Sequence, residues 1–288
     1  DRVPAAAGPS RDAGRCECAD AATIGVMGLF DSLFGKDEAL PSQVTFTLDQ
    51  AGHTYEDGSV GLLPTSLTIT PDDRRVAVIG LNGAGKTTLL KLLDGALAAT
   101  SGSVSITAGE TALSPAVKRD LKRIEDIVGR VRREEIPDSY YRAATIREAI
   151  DQPLKKHKVP ESERHARIGN LFAHFDLASV AREPASALDS EKRHLLAIAA
   201  ALSFSPAAIV ADEPTKGLDE IGSAHVAKAL FGYNKQVIFA THDVDMITRP
   251  QYAIDRALVV DDHAVVFDGE PAAAAAFYED LIRSKAAR

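Results

Sequence analysis

The sequence predicts an α/β fold with a mostly parallel sheet and a helical insertion at about residues 115–200. Three observations carry that prediction. The continuous apolar runs Val76–Ile79 (VAVI) and Val237–Ala240 (VIFA) read as strands buried on both faces, as in parallel sheets covered by helices. Val76–Ile79 and Ile209–Ala211 are each followed by a helical pattern, so strand and helix alternate. Between Pro115 and Leu202 the character shifts to helix, with charged faces and few β-branched runs.

In chain order, Val44–Leu48 (VTFTL) and Ser66–Thr70 (SLTIT) alternate apolar and polar residues and are expected strands. A turn-rich stretch, Gly52–Gly61, separates them. Val76–Ile79 runs directly into the glycine loop Gly80–Thr88 (GLNGAGKTT), and Lys86–Leu93 is a good helix. Ser103–Thr107 is another alternating strand. Inside the helical region, Thr145–Glu148 (TIRE) has the spacing of a capping box. Ile168, Leu171, Phe172 and Phe175 mark one face of a helix over Glu161–Phe175. His225–Phe231 is helical, Leu258–Val260 and Ala264–Phe267 form a hairpin, and Pro271–Ser284 closes the chain as a helix.

Composition narrows the function. The chain has 288 residues and a formal net charge of −8 with no long Lys/Arg run, which argues against nucleic acid as a partner. The two cysteines, Cys16 and Cys18, are too close to bridge and no second pair completes a metal site, as suits a reducing compartment. No stretch reaches the roughly 18 consecutive apolar residues of a spanning helix. Residues 1–42 are expected to be disordered or an over-extended N-terminus, with Met27 the native start and 43–288 the folded domain.

The loop Gly80-Leu-Asn-Gly-Ala-Gly85-Lys86-Thr87 fits G-x-x-x-x-G-K-[ST]. Glycines let successive backbone N–H groups turn toward phosphate oxygens, and the following helix points its positive end at the same anion. Asn82, Gly83, Ala84, Gly85, Lys86, Thr87 and Thr88 are therefore the expected phosphate-binding residues. Lys86 is expected at the β- and γ-phosphates of ATP and the Thr87 hydroxyl on Mg²⁺. Ile209–Thr215 (IVADEPT) adds two carboxylates at a strand end, one suited to Mg²⁺ and the next to activating water.

Taken together, GLNGAGKTT, ADEPTKGLD and ATHD resemble the Walker A, Walker B/D-loop and switch-histidine motifs of ABC-type ATPases, over about residues 43–280. The resemblance implies a P-loop nucleoside triphosphate hydrolase: three layers, α/β/α, with an antiparallel β subdomain beside the parallel sheet. It implies Asp212 as the Mg²⁺ acid, Glu213 as catalytic base and His242 as the γ-phosphate contact. It also implies that Asp219 sits in a loop communicating across a dimer, and that adenine stacks on Tyr55. The tail 255–282 is similar to the end of energy-coupling-factor ATPases. That likeness implies uptake of a vitamin such as biotin, or of cobalt or nickel ions. It also implies integral-membrane partner subunits and a place on the cytoplasmic face of the membrane.

Two family motifs are missing. The usual Leu-Ser-Gly-Gly-Gln aligns with Leu188-Asp189-Ser190-Glu191-Lys192, where both glycines are gone and Asp189 and Glu191 bring negative charge. Acids suit a helix N-terminus but repel a triphosphate. A well-capped helix is expected there, and with it either a heterodimer with an intact ATPase or slow hydrolysis. The alternative is a nucleotide-binding regulatory or structural subunit. The family's coupling glutamine is also absent from Val128–Pro137, where Arg133 and Glu135 are the nearest residues.

Overall fold

The structure, a computed structural model, describes residues 43–132, 136–156, 158–232 and 234–287. Arg133, Glu135, Met27 and both cysteines lie outside the described residues.

Strands β1 (Val44–Thr54) and β2 (Val60–Ile69) form an antiparallel pair. The chain then enters β3 (Arg75–Ile79) and helix α1 (Lys86–Leu93) before β4 (Ser101–Ala108) and β5 (Thr111–Leu113) complete a four-stranded sheet, order β2-β1-β4-β5. β1 and β2 are longer than their alternation marks. Register shifts between Leu48 and Thr54 break the period of two but let the pairing continue, so the turn shrinks to Tyr55–Ser59.

The helical region follows: α2 (Lys118–Ile127), α3 (Asp138–Arg142), α4 (Ile146–Lys156), α5 (Glu161–His174) and α6 (Ser190–Leu202). It is not wholly helical, contrary to the sequence expectation. β6 (Val128–Arg132) lies within it and forms one edge of the second sheet. Its arginines hid it. Arg130 donates to the Asp94 carbonyl at 2.7 Å, and the Arg132 guanidinium lies 3.4 Å from the buried Asp94 carboxylate at the end of α1. A short strand with two charges is tolerated because a non-local acid receives them.

β7 (Ala208–Asp212), α7 (Glu220–Phe231), β8 (Gln236–Thr241), α8 (Val244–Thr248), β9 (Arg256–Asp261), β10 (Ala264–Gly269) and α9 (Pro271–Ala286) finish the chain. The second sheet has the order β10-β9-β3-β8-β7-β6 and is parallel except for β10. β3 shows how it is covered. Val76 and Val78 face an apolar cluster containing α1 and the antiparallel sheet. Ala77 and Ile79 face a second cluster built from α4–α7 and α9. The sheet is thus the middle of three layers, and its carboxyl ends at Ile79, Asp212 and Thr241 come together at one rim, because β3, β8 and β7 pair in parallel register. Among the described residues no helix is long and apolar enough to cross a membrane.

Candidate nucleotide site

The glycine loop is clasped before any ligand is considered. A Cβ at Gly80 would stand 2.2 Å from the Val260 carbonyl oxygen on β9, and one at Gly85, where φ is +108°, 2.7 Å from the Gly61 carbonyl on β2. Gly80→Ala is therefore expected to destabilise the fold by about 1–3 kcal/mol, read as a lowered midpoint in thermal unfolding. An unchanged midpoint would contradict the packing described.

Lys86 is buried, and its ammonium donates to the carbonyls of Gly80 at 2.7 Å and Leu81 at 3.0 Å. Burial pushes its pKa down, against the opposing pull of Glu213 and Asp212. One residue on, the Thr87 hydroxyl donates to Asp212 Oδ2 at 2.7 Å, joining the first turn of α1 to the end of β7. Glu213 leaves the strand at φ +49°, a left-handed position that costs a side-chain-bearing residue about 1–2 kcal/mol. Its N–H donates to the Ala240 carbonyl at 3.0 Å. Its Oε2 lies 2.5 Å from Lys216 Nζ and 4.0 Å from His242 Nδ1. Burial raises the Glu213 carboxyl, but Lys216, then His242 and Lys86, outweigh it and hold the group below its ordinary value.

One residue further along α1, Thr88 Oγ1 is 2.9 Å from the hydroxyl of Tyr55, whose ring stands edge-on to His53. A cavity of about 400 Å³ is lined by Tyr55, Asn82, Lys86, Thr87, Asp212 and Glu213, among others. A larger cavity, about 710 Å³, shares no residue with it and lies between β6, α3 and α6, with Arg130 and Arg132 in its wall.

Among the described residues no three His, Cys, Asp or Glu side chains cluster as a metal cage. Thr87 and Asp212 offer a different donor set, two hard oxygens beside a phosphate loop. That set fits Mg²⁺, which takes few protein oxygens and completes its shell with phosphates and water.

The family described as ABC transporter matches residues 62–216, from β2 through the loop and Asp212 to Lys216. This chain belongs to the ABC transporter family. It is the ATP-binding, ATP-hydrolysing component of such a transporter. It is 30% identical over 220 residues to the energy-coupling factor transporter ATP-binding protein EcfA of Methanocaldococcus jannaschii, covering 75% of this chain and 76% of that protein. It is 29% identical to the biotin transport ATP-binding protein BioM of Rhizobium etli, covering 77% and 92% respectively. Among solved structures, cbiO1 of Clostridium perfringens, part of the ABC transporter complex cbiONQ, superposes with a TM-score of 0.69. That pair shares 26% identity over 84% of this chain and 94% of the other.

Within this ABC transporter subunit the sequence-marked residues are unevenly gathered. Tyr55, Asn82, Gly83, Gly85, Lys86, Thr87, Thr88, Asp212 and Glu213 share the cavity wall. Ala84 does not: its methyl is buried in the apolar cluster, and its carbonyl accepts from the His263 N–H. His242 is exposed and lines a neighbouring cavity of about 380 Å³ together with Asp219, whose carboxylate caps α7 through the Gly222 N–H. The replaced family motif is a helix cap. Asp189 accepts from the Lys192 N–H at 2.7 Å, and Glu191 Oε1 meets His225 Nδ1 on α7 at 2.6 Å. Lys216 and His263 also line that 400 Å³ cavity, and sequence reading assigned neither. For Lys216 the available signal was its place three residues after Glu213 in a turn. His263 sits in a hairpin turn and carried no local signal.

Proposed function

We propose that this subunit drives an uptake transporter of the energy-coupling factor type, using the cavity around Lys86, Thr87, Asp212 and Glu213 to hydrolyse ATP. The observation that carries the reading is the 2.7 Å contact between Thr87 and Asp212. It sets a phosphate loop, a metal-suited acid and a buried second carboxylate within one wall. The likeness to EcfA, BioM and cbiO1 supports the transporter type.

In this reading the loop N–H groups and Lys86 hold the phosphates, and Tyr55 offers its ring to adenine. Thr87 and Asp212 hold Mg²⁺, which neutralises phosphate charge when bound. Glu213 orients the attacking water and takes its proton, while His242 contacts the γ-phosphate. The cargo is a vitamin such as biotin, or cobalt or nickel ions. Integral-membrane subunits receive the motion on the cytoplasmic face. A second ATPase with an intact glycine motif completes the site, because Asp189 and Glu191 are committed to the fold of this chain.

The test is the ATPase rate of the isolated chain and of its mixture with such an ATPase. Slow turnover alone, raised roughly 100-fold by the partner, is expected from the donors the partner supplies. Brisk turnover by the isolated chain would overturn the heterodimer. Lys86→Ala should weaken ATP binding at least roughly tenfold in an equilibrium binding assay, since it removes a charge-assisted contact. Undiminished binding would sink the nucleotide assignment. The Glu191–His225 pair favours one rival, a regulatory subunit that binds nucleotide without turnover.

A further inference from the structure

Lys216 stands in the middle of the ADEPTKGLD stretch and has no part in the mechanism above. Yet it is the second cation of the nucleotide cavity. Glu213 turns left-handed, the Lys216 N–H donates to the Glu213 carbonyl at 3.1 Å, and Gly217 follows at φ +87°. That turn folds the Lys216 side chain back over Glu213, placing Nζ 2.5 Å from Oε2 while leaving the lysine side chain 35% exposed.

The wall carries two lysines, Lys86 and Lys216, two carboxylates, Asp212 and Glu213, and the imidazole of His263. A triphosphate brings several further negative charges, so the cations decide how much of it the cavity tolerates. Lys86 is anchored on two loop carbonyls. Lys216 is held by one carboxylate on a flexible four-carbon stem and can exchange partners.

We propose that Lys216 reads the terminal phosphate. When a nucleoside triphosphate is bound, the ammonium moves from Glu213 to a γ-phosphate oxygen. That contact distinguishes triphosphate from diphosphate and uncovers the Glu213 carboxylate only when there is a γ-phosphate to attack. The inference rests on the nucleotide reading of this cavity.

A binding experiment tests it without catalysis. In a Glu213→Gln background, ATP and ADP affinities are measured with Mg²⁺ for the Lys216, Lys216→Met and Lys216→Arg proteins. Melting points without nucleotide check the fold, and Lys216→Gln serves as a second neutral variant. Lys216→Met should lose about tenfold in ATP affinity and under about twofold for ADP, the loss of one charge-assisted contact. Lys216→Arg should recover part of the ATP preference. Equal loss for both nucleotides, or none, overturns the proposal. So does a loss seen only when Glu213 is retained, because Lys216 would then merely mask that carboxylate. If the protein with Lys86 and Lys216 intact binds neither nucleotide, the nucleotide reading itself falls, which is a different result from an unchanged ATP/ADP ratio.

Discussion

Glu213→Gln should leave ATP binding intact and lower turnover by about 10²- to 10⁴-fold, the usual worth of a positioned general base. The substitution is close to isosteric, and the backbone that sets the side chain is held independently, by the Glu213 N–H on the Ala240 carbonyl and by the turn to Lys216. What changes is the charge that accepts a proton. The ion pair to a part-exposed lysine disappears with it, worth well under about 1 kcal/mol, so the fold should survive. Phosphate release, assayed with a partner ATPase present, reads the first quantity and equilibrium ATP binding the second. Turnover equal to that of the unsubstituted chain would show that the carboxylate is not the base and would favour the regulatory reading.

The same carboxylate predicts a pH behaviour. Its folded pKa is depressed, so its pairing contributes stability above the ordinary value of about 4.3 and loses it as pH falls through the lower folded value. Between pH 5 and 8 it stays ionised in both folded and unfolded chains. The ionisation of Glu213 itself therefore adds no slope there, and the stability difference between Glu213→Gln and the unsubstituted protein should shrink as the solution becomes more acid.

Legibility in the sequence followed how local each constraint was. The phosphate loop and α1 could be placed to the residue because backbone demands at Gly80 and Gly85, and the helix after them, are written within a few positions. The doubly buried strands were legible for the same reason. β6 was not, since its arginines are satisfied by Asp94, more than thirty residues away. The capping box was half legible. Thr145 Oγ1 accepts from the Glu148 N–H as expected, but the Glu148 carboxylate accepts from the Ala144 N–H, one residue before the expected partner. In the site, carboxylate identity was readable and side-chain pairing was not. Glu213 with Lys216, and Glu191 with His225, depend on turns and on helix packing that no spacing rule fixes.

Those pairings make the replaced family motif the other decisive test. Restoring its serine and glycines as Asp189→Ser, Ser190→Gly and Glu191→Gly should raise turnover of the isolated chain roughly 100-fold, by returning close-approach backbone donors to the composite site of a homodimer. It should also weaken the fold. A serine at position 189 can still cap α6, but glycines at the next two positions forfeit up to about 1 kcal/mol each, and the half-exposed Glu191–His225 pair disappears for well under another 1 kcal/mol. Thermal unfolding and phosphate release on the same preparation separate the two effects. Gain of turnover with lowered stability means that this chain exchanged a phosphate-binding surface for a tied helix start and depends on another ATPase to supply what it lacks. Lowered stability without gain means that the acids are not what limits the homodimer.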